Sequence, residues 1–243
     1  MFTKFNLVKT KSFDWYLNLL FVLCYVFGAV LFTRDFSFNI MKSLTEAFLY
    51  FCFLGFLLAV YFSYKLQNKF NYKVFTLWVF VTFFITLSLE IIGSSTGLIF
   101  GNYKYGDTLK LQIFSTPLII GFNWIIIILS TTEITRRITE KFKFLKETNN
   151  YTKYFFIASL AALLATFFDF ILEPVAVYLN FWVWTSLDPY QVPLQNYIAW
   201  FVITFVFSYL YLLLKLKINS SFVQNIFWMQ LIFFIFLRIF LFY

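Results

Sequence analysis

The chain has 243 residues, of which 62% are hydrophobic, 26% aromatic and 12% charged, with a mean hydropathy of +0.81. A water-soluble domain has no interior large enough to hide that much apolar surface, so the composition excludes a soluble protein. The formal charge of +8 would raise nucleic acid as a partner for a soluble chain, but most of it lies in short connections between apolar runs, which argues against nucleic acid.

At about 20 apolar residues per crossing of a hydrocarbon core about 30 Å thick, the length accommodates about seven helices with short loops and no separate soluble domain. The expected fold is an all-α, polytopic transmembrane bundle, with residues 1–243 forming a single integral membrane domain. Sustained apolar runs predict spans at 15–32, 44–64, 74–92, 113–130, 154–179, 197–214 and 222–242. The basic MFTKFNLVKT precedes a stretch long enough to span and without a small-residue cleavage site, so a first helix is expected here and not a removed signal peptide.

Cys24 and Cys52 fall in the first two spans, where a thiol behaves as a small hydrophobe, and no metal-ligand spacing surrounds them. With no His in the chain, no metal site is expected and acid–base chemistry falls to carboxyls and tyrosines. Lys4, Lys9, Lys11, then Lys65, Lys69, Lys73, then Arg136, Arg137, Lys141, Lys143, Lys146, Lys153, and finally Lys215 and Lys217 make up fourteen of the nineteen basic residues. If seven spans alternate, these four clusters share one side. The positive-inside rule then puts that side and the N-terminus in the cytoplasm, with a prokaryotic cytoplasmic membrane as the expected location. The connections at 93–110 and 181–196, the first bearing glycines and the second two prolines and two tryptophans, lie on the other side.

A charge near the centre of a spanning helix costs about 2.5–3.5 kcal/mol on insertion scales, so acids in or near the spans are functional candidates. Five qualify: Glu46, Glu90, Glu133, Asp169 and Glu173. Glu46 near the start of the second span, and Glu133 on one face with Arg136 near the end of the fourth, read as solvated helix ends. Glu90 has no basic residue after it until Lys104, and Asp169 and Glu173, four apart, share a face of a helix with no basic residue after Lys153. The third and fifth helices both run outward, so all three acids belong to outer halves of their spans. Carboxyls gathered without a countercharge do not all ionise, which leaves a proton for acid chemistry. The competing reading is that they only satisfy Asn, Tyr or helix ends. Pro174 removes a helical hydrogen bond and frees a carbonyl, so a break beside a polar pocket is expected there.

Glu90, Thr96-Gly97, Phe100-Gly101, Tyr103, Tyr105, Pro117 and Trp124 resemble the first signature of the carotenoid biosynthesis membrane proteins that include the 1,2-hydratases of acyclic carotenoid ends. Asp169, Glu173-Pro174, Trp182-x-Trp184, Tyr190, Val192-Pro193, Asn196 and Trp200 are similar to the second, so the resemblance covers residues 90–200. The chain departs from the pattern at Glu173, where the family has Asp, and at Asn180, Gln191 and Ala199, where it has Gly. The resemblance implies hydration of the terminal carbon–carbon double bond of gamma-carotene, lycopene or an anhydro precursor of bacterioruberin. It implies water as co-substrate, no redox cofactor, and other carotenoid enzymes as neighbours in the membrane.

Such a hydration protonates one alkene carbon, holds a tertiary carbocation and delivers water. On this reading Asp169 or Glu173 donates the proton and Glu90 positions or deprotonates the water, with the reverse allocation also open. Tyr103, Tyr105, Trp182 and Trp184 would surround the cation, each desolvated face contributing about 0.5–2 kcal/mol. Asn123 and Asn196 would orient water or a carboxyl, and Trp124 and Trp200 complete the substrate-binding set. Three rivals remain: a lycopene-type cyclase, which starts with the same protonation; a transporter or noncatalytic assembly protein; and a seven-helix receptor or light-driven pump, which the absence of a retinal-attaching lysine from the seventh span disfavours.

Overall fold

The computed structural model describes residues 2–65, 71–142, 147–185 and 188–243, with side chains from Phe13 onward. Of the basic residues named above, Lys69, Lys143 and Lys146 lie outside the described residues, as do the side chains of Lys4, Lys9 and Lys11. Among the described residues there are seven long helices: α1 (Phe2–Phe32), α2 (Asp35–Lys65), α3 (Tyr72–Thr96), α4 (Leu118–Thr139), α5 (Asn150–Tyr178), α6 (Leu194–Leu213) and α7 (Ser221–Phe242). All seven are long and apolar enough to cross a membrane, and the chain is an all-α integral membrane protein. Four short strands, β1 (Tyr103–Tyr105), β2 (Gln112–Ile113), β3 (Thr116–Pro117) and β4 (Trp182–Trp184), lie in the connections after α3 and α5.

Several expected boundaries move. α2 begins at Asp35, an acid in the first turn where the helix dipole favours one, and not at 44. The apolar run at 113 does not open α4. It forms a β2–β3 hairpin whose Phe114 and Ser115 take φ of 49° and 61°, and α4 starts only after Pro117. At its other end α4 continues past 130 to Thr139, because it is the interior helix: 78% of its apolar stretch is buried, against 22–44% in the other six. Hydroxyls there need no water. Thr131, Thr132 and Thr135 donate to the carbonyls of Ile127, Ile128 and Thr131 at 2.6–2.8 Å.

Lipid removes most of the hydrophobic drive between spanning helices, so close packing and interhelical hydrogen bonds carry the association. Ala158, Ala161, Ala162 and Ala165 form a fully buried small-residue stripe on α5, which packs most extensively against α6. Thr132 donates to Ser208 at 2.7 Å, and the Trp78 indole to the Phe207 carbonyl at 3.3 Å.

The end of the bundle where α4 finishes and α7 begins is tied by carboxyls, which corrects one expectation. Glu133 is not a solvated helix end but is 1% exposed, paired with Arg136 and accepting from Tyr211 Oη at 2.6 Å and Ile218 N at 2.9 Å. Asp14, missed because the first span was expected to begin at 15, accepts from Ser221 N at 2.6 Å and Ser220 Oγ at 3.0 Å and so caps α7. Glu46 is half-exposed, and it clamps the α3–α4 connection by accepting from the backbone N–H groups of Lys110 and Leu111 at 2.8 and 2.9 Å.

Candidate active site

The α3–α4 and α5–α6 connections meet as a small antiparallel sheet. β1 pairs with β4 so that Tyr103 faces Trp184 and Tyr105 faces Trp182. Strand side chains alternate, so the two tyrosines and two tryptophans share one side while Lys104 and Val183 take the other. Tyr103, Trp182 and Trp184 are accordingly buried and Lys104 exposed. The facing rings lie 5.3 Å (Tyr103–Trp184) and 6.3 Å (Tyr105–Trp182) apart, and the sheet forms a lid over one end of the bundle.

Local backbone chemistry places these strands. Gly97 ends α3 at φ +70°, donating its N–H to Gly93 O at 2.8 Å, and Gly101 at φ +104° lies where a Cβ would come within 2.5 Å of Pro193. Asn180 adopts φ +57°, the left-handed region, which Asn tolerates better than other non-glycine residues. Gly106 N then donates to Phe181 O at 2.9 Å, and Thr108 Oγ1 to Leu179 O at 2.6 Å, fixing the lid to the end of α5.

Each lid strand presents its donors to one carboxyl. Tyr103 and Tyr105 donate to Glu90 Oε2 at 2.6 and 2.7 Å, and the Trp124 indole of α4 donates to Oε1 at 2.8 Å. Trp182 and Trp184 both donate to Glu173 Oε2 at 2.9 Å. Asn196, in the first turn of α6, bridges the α5 acids: its Nδ2 donates to Asp169 Oδ2 at 2.6 Å and to Glu173 Oε1 at 3.1 Å. Asp169 is fully buried, and among the described residues its Oδ1 has no hydrogen-bond partner. Burial, followed by the adjacent Glu90, pushes the Tyr103 and Tyr105 phenols well above their ordinary value of 10, so both stay protonated donors.

Glu90, Tyr103, Tyr105, Asn123, Trp124, Glu173, Trp182, Trp184, Asn196 and Trp200 all line one cavity. Asp169 does not line it and stands one helical turn behind Glu173. The rings of Trp124 and Trp200 lie 4.2 Å apart at 34° in the wall. Trp184 also borders a more polar recess on the outer side of the lid, lined by Asn102, Thr185, Gln191 and Gln195. Sequence reasoning missed Gln230 of α7, whose side chain lines the cavity at 2% exposure. An amide deep in the span, beyond Gln224 and Asn225 near its start, was the available signal.

The expected break at Pro174 does not occur. α5 runs through Pro174 to Tyr178, and the Phe170 carbonyl left without its helical partner accepts from Arg238 Nη1 of α7 at 2.8 Å. The guanidinium also sits 4.8 Å from the Phe170 ring centre, so a cation from a neighbouring helix takes the place of a wet cavity.

Neither a curated protein nor a solved structure matches the chain. A family model described as carotenoid biosynthesis protein matches residues 47–243, from the second quarter of α2 to the C-terminal residue, and so takes in both acid-bearing helices and the lid strands that serve them. With that match spanning most of its length, the chain belongs to the carotenoid biosynthesis protein family.

Proposed function

We propose that this protein is a carotenoid 1,2-hydratase, adding water across the terminal double bond of an acyclic end such as those of lycopene, gamma-carotene or a bacterioruberin precursor. The observation that carries this reading is the pair of carboxyls, Glu90 and Glu173, in the wall of one aromatic cavity, each held by its own set of donors. An uncharged alkene needs a strong acid at one point and a base for water at another. One cavity with two separately supported carboxyls supplies both.

Glu173 is the member of the α5 pair that lines the cavity, so it is assigned as proton donor, with Asp169 acting behind it through Asn196. Glu173 Oε1 carries the proton and gives it to the CH carbon of the terminal alkene, leaving a tertiary cation. Donors already aimed at the carboxylate left behind, from Trp182, Trp184 and Asn196, stabilise charge where it develops. Aromatic side chains in the cavity wall, Trp124 and Trp200 among them, stabilise the cation from the side they present to it. Water adds to the tertiary carbon and loses a proton to Glu90, giving the tertiary alcohol, and that proton returns to Glu173 through cavity water. No redox change occurs and no cofactor is called for.

The polar recess behind Trp184 supports hydration over cyclisation, because a cyclase must keep water out while a hydratase must admit it. The same reading takes residues 1–243 as one membrane domain with its N-terminus in the cytoplasm of a prokaryotic cell. The test is expression in hosts that accumulate lycopene or gamma-carotene, followed by pigment mass analysis. The expected product is heavier by one water per end. An isomeric product would replace hydration by cyclisation, and unchanged pigment beside membrane-inserted protein would overturn both.

A further inference from the structure

A second cavity lies between α1, α2 and α7 and adjoins the first. Leu49, Phe181, Gln230 and Phe234 line both, so a wall one side chain thick separates them. Apart from Tyr25, Thr45 and Gln230, its lining is apolar, and Phe27 (65% exposed) and Leu44 (51%) stand at its outer edge on the surface that meets lipid. Gln230, in the shared wall, has a buried Oε1 without a partner among the described residues. An acceptor sealed into a dry wall is left at a cost, which marks Gln230 as the weak point of the partition between the two cavities.

We infer that this groove holds the polyene arm of a linear carotenoid whose end group occupies the acid-lined cavity. The inference rests on the function proposed above. A long, stiff hydrocarbon with its end at Glu173 must leave the cavity somewhere. The lid closes one end, the recess behind Trp184 is polar, and the groove continues the cavity into lipid through apolar side chains. Much of its wall, from Cys24 to Thr45, precedes residues 47–243, so a large part of the surface that meets the arm lies before the family match.

Gly28 allows a test away from the acids. A Cβ there would meet only Phe233, at an ordinary 3.7 Å, so Gly28→Ala fits while Gly28→Phe projects a ring into the groove. Thr45→Phe, from the opposite wall, is the second plug. The full chain is reconstituted in lipid nanodiscs, and binding of a linear C40 polyene is read by quenching of tryptophan fluorescence alongside turnover, with thermal unfolding confirming folded protein. Each folded plug should weaken polyene binding at least tenfold, and the small Gly28→Ala by less than either. Parent-like binding and turnover in a folded plug variant would overturn the inference, as would loss of co-purifying phospholipid with unchanged polyene affinity. Polyene binding that the plugs abolish, without hydration by the parent, would retain the groove and sink the hydratase reading.

Discussion

Replacing Trp184 by Phe tests whether the lid acts on chemistry or only covers it. The substitution keeps a buried aromatic ring against Tyr103 and removes one N–H that reaches Glu173 Oε2 at 2.9 Å. A hydrogen bond to a charged group contributes about 1.5–3 kcal/mol, and this one acts on the carboxylate formed when the alkene is protonated, so turnover should fall by about 10- to 150-fold. Trp182→Phe removes the equivalent donor from the same oxygen and should cost about as much. The double variant should cost more than either, because Oε2 then loses both indoles. Trp228→Phe, on a side chain 39% exposed, controls for the substitution itself and should leave turnover unchanged. Single-turnover conversion of a linear carotenoid in nanodiscs separates chemistry from binding. Turnover within twofold of the parent in Trp184→Phe, with the protein folded, would refute the claim that the indoles stabilise the developing carboxylate.

Glu90→Gln should insert normally and lower conversion by at least about a thousandfold, since three donors would remain around a group unable to accept a proton from water; pigment mass analysis reads this directly. Asp169→Asn should abolish detectable conversion while leaving insertion intact, and full activity would remove Asp169 from the mechanism. Arg238→Leu should destabilise the protein by about 1–2 kcal/mol through loss of the Phe170 carbonyl contact, and by less than half of that in a Pro174→Ala background, where the restored N–H at 174 serves the same carbonyl. A thermal-unfolding double-mutant cycle measures the difference, and strict additivity would refute the link between Pro174 and Arg238. Tyr103 and Tyr105, held above their ordinary 10, contribute stability that is complete below pH 10 and is lost as pH rises toward their folded-state values. Melting temperature in detergent should therefore fall above pH 10, and a Tyr103→Phe, Tyr105→Phe double variant should flatten that fall.

The seven spans and the shared end of Glu90, Asp169 and Glu173 were legible because membrane insertion imposes length, apolarity and alternation on the sequence directly. The strand pair was not. YKY and WVW are three residues each, too short for periodicity to separate a strand from a helix end, and their register depends on two connections far apart in the chain. The same limit explains Glu133. Its neighbours Thr131, Thr132 and Arg136 resemble a solvated terminus until the interior position of α4 is known, after which the same polar residues become the means of satisfying a buried helix end. Pro174 carried a correct local signal, one carbonyl without its partner, but the donor that answers it comes from α7 and no local pattern could name it.

The lid geometry also bears on why Glu90 and Glu173 each take two donors from a strand and only one from a neighbouring helix. Donors on two helices would let the carboxyls shift with every small change in helix packing, and membrane helices slide easily where no hydrophobic drive holds them. In the β1–β4 pair the register that sets Tyr103 against Trp184 and Tyr105 against Trp182 ties the donors of Glu90 to the donors of Glu173. A one-residue slip of β1 would turn both tyrosines away from the cavity and bring Lys104 in, and a slip of β4 would do the same with the tryptophans and Val183, so the register that buries the aromatic side is the same one that positions the donors. Covering the cavity and spacing the proposed acid from the proposed base are thus one structural event. A lid displaced to admit water would loosen the donors on both carboxyls together, whereas water passing beside Trp184 from the polar recess would leave both in place.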